Sequence, residues 1–538
     1  MNPMRVIAYY FVVFMAFDLA APALAATTAP DPLPVAIHAA LAASPEGVVP
    51  ARPAVGMTLE EAARRLYGAR DFRPIWTSQK MADQLLAGLR GLAEDGLDPE
   101  DYGLSRLIAA RPVLSDPDAD PARRAAVDVL ATRAYIHALF HLHRGKLDPI
   151  DFTPRPVDAA AGLTRIVDKL QAGDVLAAFA EARPQSKLYA ALRDGLKAMR
   201  QVAANGGWLV VPNGPTLKPG MTDPRISILR QRLAAEGYLP QEAVGGSDYD
   251  ATLEDAVKRF QNDYYLESDG LVGGKTLAAL NVSAAARVDQ IRVNLERARQ
   301  LMGVAQGDFV VVDIAGYRVS FYRDGQAIWR SRVVVGRTYR QTPEFKSAIT
   351  SVTLNPDWTV PPSIFRHDMV PKIRRNLNYL TANHLRVLDG QGREIAPASV
   401  NWSNPRGVVL RQQAGPWNAL GRVVIRFANH YAVYLHDTPY QELFDKAQRD
   451  FSSGCIRVEE PFELVYRLFN ADDDAARAVI DEGVASGETV KIPLPKPVPI
   501  LLIYWTTDVR DDGRVMFKPD IYGRDAAMLS RLNQRTLL

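Results

Sequence analysis

Hydrophobic and polar positions recur with two different periods along the chain. Before about residue 300 the apolar positions come every three or four residues, as at Leu85, Leu86 and Leu89, which is typical of amphipathic helices. From Phe309 onward apolar and polar residues alternate, which is typical of half-buried strands. The pattern therefore predicts a multidomain α+β fold, with helices first and a mostly-β part after them.

The helical part divides into two units at a stretch rich in glycine and proline, 205–220. Residues 57–204 are predicted to form an all-helical scaffold domain. Its first helix opens at a capping box that begins with Thr58, and another helix is expected near 159–172. Three shorter helical patterns then predict a small three-helix module over 222–282.

Short strand-like runs separated by turn residues predict a β-sandwich or barrel-like catalytic domain over 305–495. A two-residue turn, Asp324-Gly325, joins two of these runs and favours a hairpin of type I′. A polar, helix-capable stretch of about 363–400 interrupts the strands and predicts a helical capping insert. Residues 496–538 follow as a C-terminal tail. The runs that we assign to strands are 309–314, 317–322, 328–335, 349–354, 408–411, 423–427 and 431–435.

The N-terminus has the features of a secretory signal peptide, 1–25. An arginine supplies the positive start, 6–17 the apolar run, and Ala23-Leu24-Ala25 a cleavage site with small residues at both ends. We therefore expect cleavage after Ala25 and export to the periplasm; an uncleaved membrane anchor is the less favoured alternative. The Ala- and Pro-rich residues 26–56 follow without clear periodicity and predict a flexible leader.

Charge and composition exclude some classes of function. The 64 basic and 61 acidic residues leave a formal net charge of +3, so no strong field favours nucleic acid as a partner. His137 and His141 share a face of a predicted helix, but no acidic residue stands at the HExxH spacing of a zinc site. We therefore expect neither a metal site nor another cofactor.

The sequence contains one cysteine, Cys455, and a histidine, His436, lies nineteen positions before it. A thiol beside an imidazole is sufficient for covalent acyl transfer, because the thiolate attacks a carbonyl while the imidazole takes and returns the proton. A single cysteine cannot form an internal disulfide in an exported protein, which favours a catalytic role. Spacing alone leaves open the alternative that Cys455 is a buried structural residue.

The residues around this pair favour a catalytic turn. The run 431–435 places His436 at or just after a strand end, and a Ser-Ser-Gly turn leads into Cys455. Gly454 permits positive φ, and its backbone N–H, together with that of Cys455, is predicted to point at one oxyanion. Pro461 is predicted to begin a helix, whose N-terminus near the thiol would lower the thiol pKa.

The sequences HDTP, from His436, and SSGCIRV, around Cys455, resemble the active-site motif of the bacterial L,D-transpeptidases. Ser453 stands where many members have a second histidine, and this SSGC form is typical of the large periplasmic branch of the family. The likeness extends to the helical part. Pro74-Ile75-Trp76 and EDGLDPEDY are similar to the scaffold of that branch, and residues 260–280 are similar to a peptidoglycan-binding module.

The resemblance implies a function and its partners. A peptidoglycan tetrapeptide stem would acylate Cys455 and lose its terminal D-Ala, with His436 as the proton carrier. The amine of a second stem would then take the acyl group and give a 3→3 cross-link. Peptidoglycan stem peptides and glycan strands, carbapenem-type inhibitors at Cys455 and other cell-wall synthesis proteins are the implied partners. The same site leaves as alternatives an L,D-carboxypeptidase, an enzyme that attaches or releases wall proteins, and a catalytically silent envelope scaffold.

Further side chains are candidates for substrate binding or for shaping the site. Tyr434 shares a strand face with the histidine and is predicted to line the pocket, or else to pack as a strand tyrosine. Arg457 is expected to bind a substrate carboxylate or to form a structural ion pair. Trp358 is a candidate wall of the donor cleft or a core aromatic. By the resemblance, a backbone carbonyl near Asp437 orients the imidazole, with the Asp437 carboxylate as the alternative, and Ser453 shapes the turn.

Overall fold

The computed structural model describes residues 31–43, 59–116, 118–147, 169–170, 172–301, 307–470 and 474–535. The predicted signal peptide, 1–25, and most of the helix predicted near 159–172 lie outside these residues. No helix in the described ranges combines the length and the apolar character that crossing a membrane requires.

Helices α1 to α6 share one core built around a long central helix, and α7, the last helix of the N-terminal unit in sequence, packs on the core of the next module. The central helix, α5, packs against its neighbours through small residues such as Ala131, Ala134 and Ala138, all fully buried, because side chains without bulk let helices approach closely. The helices are α1 (Pro32–Ala42), α2 (Leu59–Gly68), α3 (Gln79–Gly91), α4 (Leu104–Ser115), α5 (Pro121–Arg144), α6 (Val175–Ala182) and α7 (Lys187–Ala204).

The prediction of a flexible leader over 26–56 is wrong for residues 31–43, which contain α1. The Asp31 side chain caps this helix by accepting from the Leu33 N–H at 3.0 Å. Leu33, Ile37 and Leu41 are buried in the core of the N-terminal unit. Their spacing of four residues was a usable helical signal that the many alanines and prolines around them obscured.

The three-helix module consists of α8 (Arg225–Ala235), α9 (Ala251–Asp263) and α10 (Gly274–Leu280). The next helix, α11 (Ala284–Leu301), carries buried polar residues that tie distant parts of the chain together. Arg299 donates to the Asp95 carbonyl at 2.6 Å and to the Tyr189 hydroxyl at 3.0 Å, both in the N-terminal unit. Asn294 donates to the Thr506 hydroxyl at 2.7 Å, near the C-terminus.

The β part forms a closed barrel-like sheet. Its strand order is β10-β3-β11-β9-β8-β4-β12-β1-β2, and β2 also pairs with β3, which closes the ring. Asp324 and Gly325, with φ of 51° and 76°, make the predicted turn between β2 and β3. The strands are β1 (Phe309–Asp313), β2 (Arg318–Arg323), β3 (Gln326–Gly336), β4 (Phe345–Leu354), β5 (Trp358–Thr359), β6 (Leu385–Leu388), β7 (Val409–Gln412), β8 (Val423–Phe427), β9 (Leu435–His436), β10 (Asp450–Ser452), β11 (Ile456–Val458), β12 (Val490–Ile503), β13 (Thr507–Val509) and β14 (Val515–Phe517).

The capping insert has its own small core and is only partly helical. Its helical half runs through the turn Pro362–Ile364, the π-helix Phe365–Met369, α12 (Val370–Arg375) and α13 (Asn378–Ala382). The prediction of a purely helical insert is wrong, because β6 pairs with β7 and β7 with β5 in a separate three-stranded sheet. Strand β6 could not be recognised from its sequence, because it is only four residues long and pairs with β7, which lies outside the predicted insert.

The predicted boundary between the catalytic domain and the tail, at 495–496, falls inside β12. This strand lies between β4 and β1 near the middle of the main sheet. Its sequence, VKIPLPKPVPILLI, contains four prolines, which normally argue against an inner strand because proline cannot donate to the ladder. The sheet accommodates them with a register shift against β4 between Pro493 and Val498. Helices α14 (Pro461–Leu468), α15 (Asp474–Ala485) and α16 (Arg524–Leu532) complete the domain.

Candidate active site

Four predicted site residues meet on one face of the parallel strand pair β9 and β11. The register pairs Ile456 with Leu435 and Arg457 with His436. Because Ile456 and Leu435 point into the barrel core, the residues on either side of them point to the opposite face. Tyr434 therefore lies beside Cys455, His436 lies beside Arg457, and the thiol and the imidazole are diagonal neighbours.

Strand β9 covers only Leu435–His436, so the first four residues of the predicted run 431–435 lie outside it. Ala432 has a positive φ of 56°, which strand geometry does not allow. The Asn429 side chain accepts from the Val433 N–H at 3.0 Å and donates to its carbonyl at 2.8 Å. His436 still ends the strand, as predicted, and is 5% exposed.

The imidazole of His436 is oriented by the main chain. Its Nδ1 lies 2.5 Å from the Asp437 carbonyl oxygen, so Nδ1–H is the donor and Nε2 is the nitrogen that can accept a proton. The Asp437 carboxylate forms no hydrogen bond to the imidazole; it accepts from the Arg422 N–H at 2.9 Å and so stabilises the turn before β8. Burial, followed by the nearby charge of Arg457, lowers the pKa of His436 to about 3.

The thiol of Cys455 is half-buried and neutral. It donates to the Ala432 carbonyl at 3.8 Å, and Tyr434, just before the paired strand β9, lies beside it. Burial raises the pKa of Cys455 more than the contacts with Tyr434 and the charges of Arg457 and Arg426 lower it. The lowering expected from a helix N-terminus is not found, because α14 begins at Pro461 as predicted but at the far end of β11.

The turn before the nucleophile is held by a serine that the sequence analysis did not single out. Ser452 Oγ accepts from the Gly454 N–H at 3.1 Å and donates to the Cys455 carbonyl at 2.6 Å. Gly454 has the predicted positive φ, 114°, and its carbonyl accepts from Thr342 Oγ1 at 2.9 Å. The prediction of two oxyanion donors is therefore wrong for Gly454, whose N–H is occupied. The Cys455 N–H has no acceptor among the described residues.

Arg457 does not form the structural ion pair that was one of its two predicted roles. No carboxylate of the described chain lies at ion-pair distance from it, and its buried Nε has no hydrogen-bond partner there. The guanidinium lies 5.7 Å from the centre of the Tyr440 ring, and burial lowers its pKa. An under-bonded cation beside the catalytic pair is a suitable anchor for a substrate carboxylate.

The remaining candidates have structural contacts. Trp358 is half-buried and packs against the core of the insert, and Ser453 Oγ accepts from Arg340 at 3.0 Å. His141 is bonded through Nδ1 to the Tyr102 hydroxyl at 2.9 Å inside the N-terminal core. In the described ranges, no group of three or more His, Cys, Asp or Glu side chains is arranged to hold a metal ion.

Three family models match separate parts of the chain. Residues 61–196 match a scaffold domain, residues 222–280 a domain described as "Putative peptidoglycan binding domain", and residues 307–480 the YkuD model, an L,D-transpeptidase catalytic domain. These matches confirm the predicted resemblance and the predicted α+β organisation.

The chain is also similar to proteins that are named as L,D-transpeptidases. A protein named "Putative L,D-transpeptidase" from Haemophilus influenzae is 35% identical over 239 residues, which span 44% of this chain and 48% of that protein. The chain thus spans about half the length of this curated relative. Among solved structures, the L,D-transpeptidase of Xylanimonas cellulosilytica is 18% identical, over 54% of this chain and 99% of that one, with a TM-score of 0.19. The L,D-transpeptidase LdtMt1 in complex with imipenem is 14% identical, over 37% and 59%, with a TM-score of 0.16.

Proposed function

We propose that the protein is a cysteine-dependent L,D-transpeptidase that makes 3→3 peptidoglycan cross-links, since residues 307–480 match an L,D-transpeptidase catalytic domain. The observation that carries the proposal is the arrangement on β9 and β11. A half-buried thiol lies diagonally opposite an imidazole whose Nδ1 is fixed by the Asp437 carbonyl, which leaves Nε2 as the base.

The first half-reaction acylates Cys455. Both partners are neutral at rest, since burial raises the pKa of the thiol and lowers that of the imidazole. His436 therefore takes the thiol proton as the sulfur attacks the L,D-peptide carbonyl of the donor stem, rather than holding a preformed ion pair. The C–N bond to the terminal D-Ala then breaks, and His436 returns the proton to the departing amine. The Cys455 N–H, which has no acceptor in the described chain, is the proposed donor to the oxyanion.

The second half-reaction releases the acyl group to an amine. The side-chain amine of a second stem attacks the thioester and gives its proton to His436; the C–S bond then breaks, and His436 passes the proton to the sulfur, which regenerates the thiol. Water in place of the amine would give the tripeptide instead, which is the carboxypeptidase alternative.

The charges around the thiol suit an anionic stem peptide. Arg426 and Arg457 both influence the Cys455 sulfur electrostatically, and Arg457 has no carboxylate partner in the described chain. A substrate carboxylate on Arg457 would offset the charge that helps to lower the pKa of His436. Donor binding would thereby make the imidazole a better base at the moment that it is needed.

The other predicted partners and the location form part of the same proposal. The module over 222–280 matches a peptidoglycan-binding domain, so glycan strands are its proposed ligand. Carbapenems are proposed to acylate Cys455, as strained carbonyl compounds that mimic the donor. The signal-like N-terminus supports export to the periplasm, where these substrates lie.

Mass spectrometry of the products formed from a disaccharide-tetrapeptide tests the proposal, with Cys455→Ala as the matched control. A dimer that lacks one D-Ala, absent with Cys455→Ala, is the expected result. Tripeptide without dimer would replace the transpeptidase with the carboxypeptidase. Absence of both products, from protein that carbapenem still acylates at Cys455, would overturn the proposed substrate while leaving the nucleophile in place.

A further inference from the structure

Arg340 connects the nucleophile turn to the capping insert. It lies in the loop between β3 and β4, residues 337–344. Its Nη1 donates to Ser453 Oγ at 3.0 Å and to the Asp368 carboxylate, and its Nη2 donates to Asp368 Oδ1 at 3.1 Å. One guanidinium therefore binds both a residue two positions before Cys455 and a residue on the π-helix of the insert.

The loop that carries Arg340 is fixed to the same turn. Thr342 Oγ1 donates to the Gly454 carbonyl at 2.9 Å and accepts from the Gly336 N–H at 2.9 Å. The Tyr522 hydroxyl donates to the Gly336 carbonyl at 2.5 Å. Arg340 thus keeps its place relative to Cys455 through the barrel, independently of the insert.

Asp368, by contrast, approaches from another subdomain and is easier to displace. Its side chain is 35% exposed, against 17% for Arg340. Both Asp368 oxygens are bonded to this guanidinium, and an incoming carboxylate can make the same two-point contact in their place.

The substrate of the proposed reaction carries a carboxylate at a suitable distance. Ser453 is two residues from Cys455, so its backbone lies within about 7 Å of that of the nucleophile. In a donor stem, the terminal D-Ala carboxylate carbon is about 3–4 Å from the scissile carbonyl carbon, across one C–N, one N–Cα and one Cα–C bond. Because Arg340 is bonded to Ser453, two residues before the nucleophile, its guanidinium is a candidate partner for that carboxylate when the scissile carbonyl lies at the sulfur.

We propose that Arg340 is the specificity-determining residue that binds the C-terminal carboxylate of the donor stem, and that the Asp368 carboxylate occupies this position in the free protein. This inference rests on the proposed function. Donor binding then exchanges one carboxylate for the other, so that the same event orients the scissile bond and releases the insert from the nucleophile turn. Arg457, two residues after Cys455, remains available to bind a second carboxylate of the stem.

The test measures binding in the Cys455→Ala background, where no turnover occurs, by isothermal titration calorimetry. The ligands are the disaccharide-tetrapeptide with a free D-Ala carboxylate and the same compound ending in D-alaninamide. Arg340→Gln removes the charge, and Asp368→Asn removes the competing carboxylate. Arg386→Gln is the matched control, since it breaks an exposed ion pair of the insert, to Glu394 at 2.7 Å, without touching Ser453.

We expect Arg340→Gln to raise the Kd of the free-acid donor at least about tenfold, the loss typical of a charge-assisted bidentate contact, and to change the amide donor less than about twofold. Asp368→Asn should lower the Kd of the acid, and Arg386→Gln should change neither. Equal weakening of both ligands by Arg340→Gln, or weaker acid binding with Asp368→Asn, would overturn the inference and leave Arg340 a structural link. Binding with this selectivity by a wild-type protein that makes no product would refute the proposed reaction but not the assignment of Arg340.

Discussion

The low pKa of His436 predicts an unusual pH profile for acylation of Cys455. If the imidazole kept its ordinary pKa of 6.5, its neutral fraction would be about 76% at pH 7 and about 3% at pH 5, a fall of about 25-fold. With a pKa of about 3 the neutral fraction stays near 99% at both values. The pKa of the thiol is raised, so the sulfur is protonated throughout this range, and the acylation rate should hardly change.

Stopped-flow or mass-spectrometric measurement of carbapenem acylation between about pH 4 and pH 8 checks this prediction, because each adduct reports one attack by Cys455. Arg457→Met provides the internal control. Removing that charge should raise the pKa of His436, and with it the midpoint of the acid limb of the rate profile. The pKa should stay below 6.5, since burial is the larger cause of its lowering. A 25-fold fall in the acylation rate of the wild type between pH 7 and pH 5, with a midpoint near pH 6.5, would show that the pKa of His436 is not lowered. A bell-shaped profile would indicate a thiolate–imidazolium pair at rest, contrary to the mechanism above.

Three further substitutions, the last with a matched control, have expected outcomes. Gly454→Ala forces an L-residue to a φ of 114° and should cost about 1–3 kcal/mol locally, with at least about tenfold slower acylation of Cys455 in the carbapenem assay. Thr342→Val removes the donor to the Gly454 carbonyl and should slow acylation while circular dichroism shows a folded protein. Ile37→Ala deletes a fully buried side chain of α1 and should lower the free energy of unfolding by about 2–5 kcal/mol, whereas Val35→Ala, 74% exposed, should change it by less than about 0.5 kcal/mol in the same denaturant titration.

Local chemistry explains what could be predicted from the sequence. The type I′ turn at Asp324-Gly325 needs positive φ at both central residues, which those residue types tolerate, and it was found as predicted. His436 at a strand end and Gly454 with positive φ were likewise readable from their neighbours. In each case the property depends on a few adjacent residues.

Long-range pairing accounts for what could not be predicted. A predicted boundary divides strand β12, whose four prolines are unfavourable in an isolated strand; only its partners β4 and β1 make it an inner strand. Thr342 and Arg340 lie more than a hundred residues before the turn that they hold, and nothing in their own segment points to it. The Gly454 N–H is unavailable as an oxyanion donor because it donates to Ser452 Oγ. This contact depends on side-chain geometry that a sequence motif does not encode.

The position of β12 and Thr506 late in the chain has a consequence for how the protein is made. The barrel lacks one of its inner strands until residues 490–503 have left the ribosome, and Asn294 of α11 lacks its partner until Thr506 follows. Domains usually fold in the order of their synthesis, but here the barrel and the contacts of α11 are completed only by segments that are made later. We therefore expect the barrel to stay open, and suited to binding by chaperones, until residues 490–506 have been made.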